Sequence, residues 1–193
     1  MKEIVQLYAG CDGSSIGLDF TRMISTEHGL SPAGHVTCGS WSQMEAVHVM
    51  FSESSDHRFQ PRKVDIGNRF NIDQVRKQVE LCDTLDGFLF CHNTDDQVIT
   101  SRVLSEVRDE FPTCLIATGS VMTPNKSEES KMHHAKTFSD MINFSDVNIL
   151  IDFCDTGYNH LVHPSERNHL AARTLSDVTA AMRQVNKRRK HMK

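Results

Sequence analysis

At 193 residues, 38% hydrophobic and 24% charged, the chain is long enough to bury one sizeable core and short enough to be a single domain. Its six scattered cysteines (Cys11, Cys38, Cys82, Cys91, Cys114, Cys154) form no close pairs, and no signal peptide or long apolar run is evident; this argues against disulfide-stapled secreted and membrane-spanning classes and predicts a reduced, soluble, intracellular protein. The formal net charge of -4 hides an asymmetry, because Lys187, Arg188, Arg189, Lys190 and Lys193 leave an acidic body ahead of a basic tail.

Ile4–Ala9 has the β-branched and aromatic content of a buried strand, and Gly10–Ser15 behind it has turn and N-cap chemistry. Ile16, Phe20, Met23 and Ile24 share one face of a helix predicted to stop near Gly29. Residues 30–45, rich in Ser, Gly and Pro, read as loop, followed by strands at Ala46–Phe51 and Arg62–Ile66. Asn71 with Gln74 reads as a capping pair for a helix whose stripe is Ile72, Val75, Val79 and Cys82.

Gly87–Cys91 is a predicted strand, and a helix through Ile99, Val103, Leu104 and Val107 closes at Phe111-Pro112. Cys114–Thr118 returns as a strand, 119–130 reads as a polar loop, and Ala135, Phe138, Met141 and Ile142 mark another helix. Val147–Phe153 is the last strand; Ala171, Leu175, Val178, Met182 and Val185 mark the last helix. Alternating strands and helices predict one α/β domain over residues 1–185, a Rossmann-like, mostly parallel sheet flanked by helices, with 186–193 as a basic disordered tail. Ligands of such sheets bind at the carboxyl ends of the strands: Gly10–Ser15 and the stretches after Cys91, Thr118 and Phe153.

Several segments resemble the tubulin family, in order and over nearly the whole chain. Ala9-Gly10-Cys11-Asp12-Gly13-Ser14-Ser15-Ile16-Gly17 is similar to the AGQCGNQIG loop, Glu27–Gly34 to EHGIDPTG, and Pro61–Ile66 to the PRAVLVDLEP strand. Leu85–His92 resembles LQGFQLTHS, Val107–Pro112 resembles IREEYP, and Asn168-His169-Leu170 followed by Asp177-Val178-Thr179 resembles the NHL…GVT helix. The resemblance covers the N-terminal, nucleotide-binding half of a beta-like tubulin and implies the tubulin/FtsZ version of the fold, in abbreviated form.

It also implies a GTP site, which the residues support poorly. Phosphates are normally cradled by backbone N–H groups on a glycine-rich loop. Where tubulins carry GGGTGSG, this chain has the shorter, glycine-free Cys91–Val98, with Asp95 and Asp96 where they would cap a helix and repel phosphate. A long segment that tubulins carry is missing between Arg76 and Leu85, and the acidic residue of the DLEPG turn is replaced at Gly67. Gly10, Gly13 and Gly17 remain, and suit a tight strand-to-helix connection equally well. Asn168 stands where the resemblance implies a contact to guanine, but Pro164 replaces the stacking aromatic and Phe153-Cys154 replaces an expected asparagine. Gly10, Cys11, Asp12, Gly13, Ser14 and Asn168 are therefore the candidate, vestigial nucleotide-binding residues, with no catalytic residue and no metal ligand expected.

His92, His133, His134, His160, His163 and His169 read as exposed loop histidines rather than a metal site, since only His160 and His163 have ligand-like spacing. Cys91 and His92, as strand neighbours, point to opposite faces and make a poor nucleophilic pair. The resemblance implies a non-catalytic, cytoplasmic, cytoskeleton-associated protein whose partners are tubulin, microtubules or tubulin-handling proteins, with no membrane or nucleic-acid partner and GTP as the one cofactor to test. Two alternatives stay open: a weak GTP-binding structural constituent of the cytoskeleton, and a marginally folded product without a selected role.

Overall fold

A computed structural model describes residues 3–28, 34–38, 70–83, 85–94, 97–122, 127–153 and 163–191. Among them, β1 (Glu3–Ala9), β2 (Gly34–Cys38), β3 (Leu85–Asn93), β4 (Leu115–Met122) and β5 (Val147–Asp152) form an all-parallel sheet in the order β2-β1-β3-β4-β5. Helices α1 (Gly10–His28) and α5 (Pro164–His191) pack on one face; α2 (Ile72–Val79), α3 (Gln97–Glu110) and α4 (Glu128–Phe144) pack on the other. This is the expected α/β architecture, and its strand order is one of the doubly wound types.

The central strands are buried on both sides, which is why they read as nearly continuous apolar runs. In β1, Val5, Leu7 and Ala9 join the core under α2–α4, while Tyr8 joins the core under α1 and α5. β3 divides likewise, with Phe88 and Phe90 on the first side and Leu89 and Cys91 on the second. Polar groups in these layers are paired: the Tyr8 hydroxyl donates to Gln6 Oε1 and lies 3.0 Å from Thr21 Oγ1, which in turn donates to Gln6 Oε1 at 2.6 Å. Burial holds the Tyr8 phenol well above its ordinary pKa.

At the amino ends of the strands Arg108 acts as a clamp. It donates to the carbonyls of Phe144 (3.0 Å), Pro112 (3.2 Å) and Cys114 (3.1 Å) and to Asp146 Oδ2 (2.7 Å), tying the ends of α3 and α4 to the start of β4. The same Asp146 oxygen accepts the Ile116 N–H at 2.8 Å, and this bond, with Arg108, keeps its carboxyl below the ordinary range.

Several expectations change. Gly10–Ser15 is not a turn: β1 passes straight into α1, and Gly10 alone makes the junction at φ 67°, a left-handed conformation that costs glycine little. The predicted loop over 30–45 contains β2, whose backbone pairs with Val5–Ala9; sheet pairing outweighs its loop-like composition. β3 runs on to Asn93 and β4 to Met122, so 119–122 is strand and not loop, because Ser120 and His92 satisfy each other across the ladder. At α2, Asn71 accepts the Asp73 N–H at 2.9 Å as predicted, but Gln74 Oε1 is buried without a hydrogen-bond partner, so the reciprocal half of the capping pair does not form.

On α4 the buried positions are His134, Thr137 and Met141, leaving Ala135 and Ile142 outside; Thr137 can be buried because it donates to the Thr94 carbonyl at 3.1 Å. α5 continues to His191, so most of the expected disordered tail, 186–191, is helical backbone. The chain from 164 to 191 holds no glycine and no internal proline, and cations suit a helix carboxyl end. The strands expected at Ala46–Phe51 and Arg62–Ile66, and Gly67, Asp95, Asp96, Cys154 and His160, lie outside the described residues.

Candidate functional site

In a doubly wound sheet the crevice for a ligand opens where the strand order reverses, because the connections leave adjacent strands toward opposite faces. Here that point lies between β1 and β3, whose neighbours α1 and α3 sit on opposite sides. Three elements meet at its carboxyl end: the first turn of α1 with Asp12, the end of β3 with Asn93, and the first turns of α5 with Asn168.

Asp12 joins them. Its Oδ2 accepts from Asn93 Nδ2 at 2.8 Å and its Oδ1 from Asn168 Nδ2 at 3.0 Å. Both asparagines are 6% exposed, so the carboxylate supplies the partners that their buried amides need. The carboxylate also stands in the first turn of α1, where the helix dipole favours a negative charge. At this point of the sheet the two asparagine amides are therefore engaged by an internal acid. An incoming phosphate would meet that acid: at about 4 Å and an effective dielectric of about 20, two unit charges repel by about 4 kcal/mol.

The remaining candidates have packing roles. A Cβ on Gly13 would collide with the Cys91 carbonyl oxygen, and one on Gly17 would enter the Tyr8 ring, so these glycines let α1 lie against β3 and β1. Ser14 is buried on α1. Cys11 belongs to the same helical turn, and its side chain lies outside the described part of the structure. Of Gly10, Cys11, Asp12, Gly13, Ser14 and Asn168, the structure thus brings Asp12 and Asn168 into direct contact. It adds Asn93, which sequence reasoning missed. Its signal in the sequence is position alone: it is the last residue of the strand beside the reversal point.

The histidines separate by burial. His92 and His134, expected in exposed loops, are buried at 0% and 3% exposure. His92 stacks on Phe90 with ring centroids 4.8 Å apart, and its Nε2 lies 2.7 Å from Ser120 Oγ and its Nδ1 3.3 Å from Thr100 Oγ1. Desolvation pushes its pKa down to about 4, against a weaker opposing hydrogen bond to the Asn93 carbonyl, so it is neutral. Cys91 lies on the other face as expected, and burial pushes its thiol up to about 12, which removes it as a nucleophile. His163 caps α5: its N–H donates to Glu166 Oε2 at 3.2 Å, and its Nδ1 accepts the Ser165 N–H at 3.3 Å, with Pro164 at the first helical position. Exposed His169 lies 3.2 Å from Asp19 Oδ2. Among the described residues no three His, Cys, Asp or Glu side chains are placed to share a metal ion, and no helix is long and apolar enough to cross a membrane.

No protein-family model matches the chain. A curated relative does, the tubulin beta-8 chain of Oryza sativa subsp. japonica, 27% identical over 242 aligned positions that cover 95% of this chain and 54% of the relative. This chain is similar to a beta tubulin. The similarity supports the tubulin-family relationship indicated by the ordered motifs, and the chain spans about half the length of the relative it matches. The 242 aligned positions exceed the 193 residues of the chain by 49, so at least that many positions of the tubulin-like alignment have no counterpart here.

Proposed function

We propose that this is a tubulin-like, cytoskeleton-associated protein that has given up GTP hydrolysis and most GTP binding, and that acts in the cytoplasm by engaging tubulin, microtubules or a tubulin-handling protein. One observation carries the loss of nucleotide binding: the Asp12 carboxylate occupies the switch-point crevice and holds the amides of Asn93 and Asn168. A nucleotide there would have to displace an internal acid and bring its own negative charge beside it. The absence of any glycine from 92–98, and an alignment longer than the chain, support the same reading.

A second reading, a weak GTP binder without turnover, draws on Asn168, which is buried at the reversal point beside the Gly10 junction. Isothermal titration with GTP and magnesium, run beside a thermal-shift control, separates the two. The proposal expects no saturable heat up to millimolar GTP from a folded sample. A micromolar dissociation constant with a raised Tm would overturn it in favour of the second reading.

A further inference from the structure

α4 carries more apolar surface on its outer face than its place in the fold requires. It turns His134 and Thr137, with Met141, into the core and leaves Met132 and Ile142 outside at 67% and 74% exposure, the two most exposed large apolar side chains among the described residues. Ala135 and Ser139, also exposed, complete a stripe whose members are three, four and three residues apart. At about 100° per residue this stripe runs down the side of α4 opposite the buried one. Single exposed apolar side chains are ordinary, but a stripe at the spacing of a coiled-coil seam marks a contact surface.

The order of residues in the stripe says what covers it. Large, small, small, large reads the same from either end. When a second α4 is laid antiparallel on the first, about a two-fold axis midway between Ala135 and Ser139, Met132 falls opposite Ile142 and Ala135 opposite Ser139. The small pairs then sit at the axis, where two crossing helices come closest, and the large pairs fill the space that opens as the helices diverge. Charges agree at the ends. Lys131, which pairs with Glu128 of its own chain at 2.6 Å, falls beside the end of the other helix, where Asp146 stands, so that acid, base and acid alternate across the contact. One like-charge contact remains, because Lys136 lies across from its own symmetry mate beside the axis.

We propose that α4 is a homodimerisation helix, pairing antiparallel with α4 of a second copy about a two-fold axis between Ala135 and Ser139. The arrangement is isologous and closes after two copies. Two helices of 17 residues make a small contact, so association in the micromolar range is expected. Because α1 and α5 cover the opposite face of the sheet from α4, the dimer turns both of its α1–α5 faces outward.

Sedimentation velocity on the full chain at about 100 µM tests this. The expected species has twice the 21.8 kDa chain mass. Ile142→Lys puts a cation into the seam at a position outside the core, and is expected to sediment as a monomer with an unchanged circular dichroism spectrum. Leu170→Lys on α5, 51% exposed on the other face of the fold, is expected to leave the dimer intact. The register has a readout of its own that does not depend on Ile142. A mixture of wild type with Lys136→Glu sets opposite charges across the axis, where each protein alone sets like charges, so the mixed dimer is expected to be about tenfold tighter than either homodimer. A wild-type monomer at that concentration, a dimer that survives Ile142→Lys, or a mixture no tighter than its components overturns the proposal.

Discussion

Acidification from pH 7 to pH 5 is expected to weaken the fold through His92. The ring is fully buried between Phe90, Ser120 and Thr100, and its pKa falls from an ordinary 6.5 to about 4 in the folded chain. Between those two values the unfolded chain binds a proton that the folded chain refuses. The stability carried by neutral His92 is therefore fully present above pH 6.5 and is lost as the pH falls toward 4. Linkage puts the loss at about 2 kcal/mol between pH 7 and pH 5, and at about 3 kcal/mol for complete titration. Against a total stability of about 5–15 kcal/mol, that is a substantial share. Glu110 and Asp146, both held below the ordinary carboxylate range, by hydrogen bonding to Arg76 and to the Ile116 N–H respectively, stay charged down to pH 5 and add little in this window. Urea unfolding at the two pH values measures the difference, with His92→Gln as the variant that cannot titrate. The variant is expected to be less stable at pH 7, because it loses the Phe90 stack, yet nearly flat between pH 7 and pH 5. If wild type loses less than about 0.5 kcal/mol, or the variant loses as much as wild type, the buried neutral imidazole is not the cause.

Asp12→Ala leaves the Asn93 and Asn168 amides without their acceptor and is expected to cost about 1–3 kcal/mol in chemical denaturation. In the same variant the negative charge is gone from the crevice, and any GTP affinity measured by titration should rise at least about tenfold, since the repulsion removed exceeds 1.4 kcal/mol. Gly13→Ala drives a Cβ into the Cys91 backbone and is expected to lower stability by about 1–3 kcal/mol, measured as a fall in Tm, with no compensating change in ligand binding. Arg108→Ala removes four hydrogen bonds at the amino ends of the strands; a loss of about 2–4 kcal/mol by urea unfolding is expected, much of it from carbonyls left unpaired.

The candidate site was half legible in the sequence. Gly10 and Asn168 were marked by their likeness to tubulin segments and Asp12 by its place in the first of them, where it departs from the tubulin pattern, but the bond between Asp12 and Asn168 joins residues at opposite ends of the chain, and no periodicity predicts that. Asn93 carries no local signal, because its role rests on a contact with Asp12, 81 residues away in the chain. His92 and Ser120 misled because polar residues near the end of an apolar run ordinarily announce a loop; here each is the hydrogen-bond partner that lets the other be buried.

By itself the sequence determined the alternation of strands and helices and the apolar stripes, since both follow from local spacing. It also determined the cap at Asn71, a contact made within two residues. The tertiary structure alone decided where strands end, that His92 is buried and neutral, and what fills the crevice. These depend on which distant groups arrive to satisfy a buried polar atom, a balance of desolvation against pairing that is settled only when β1, β3 and β4 lie side by side and α1 and α5 close over them.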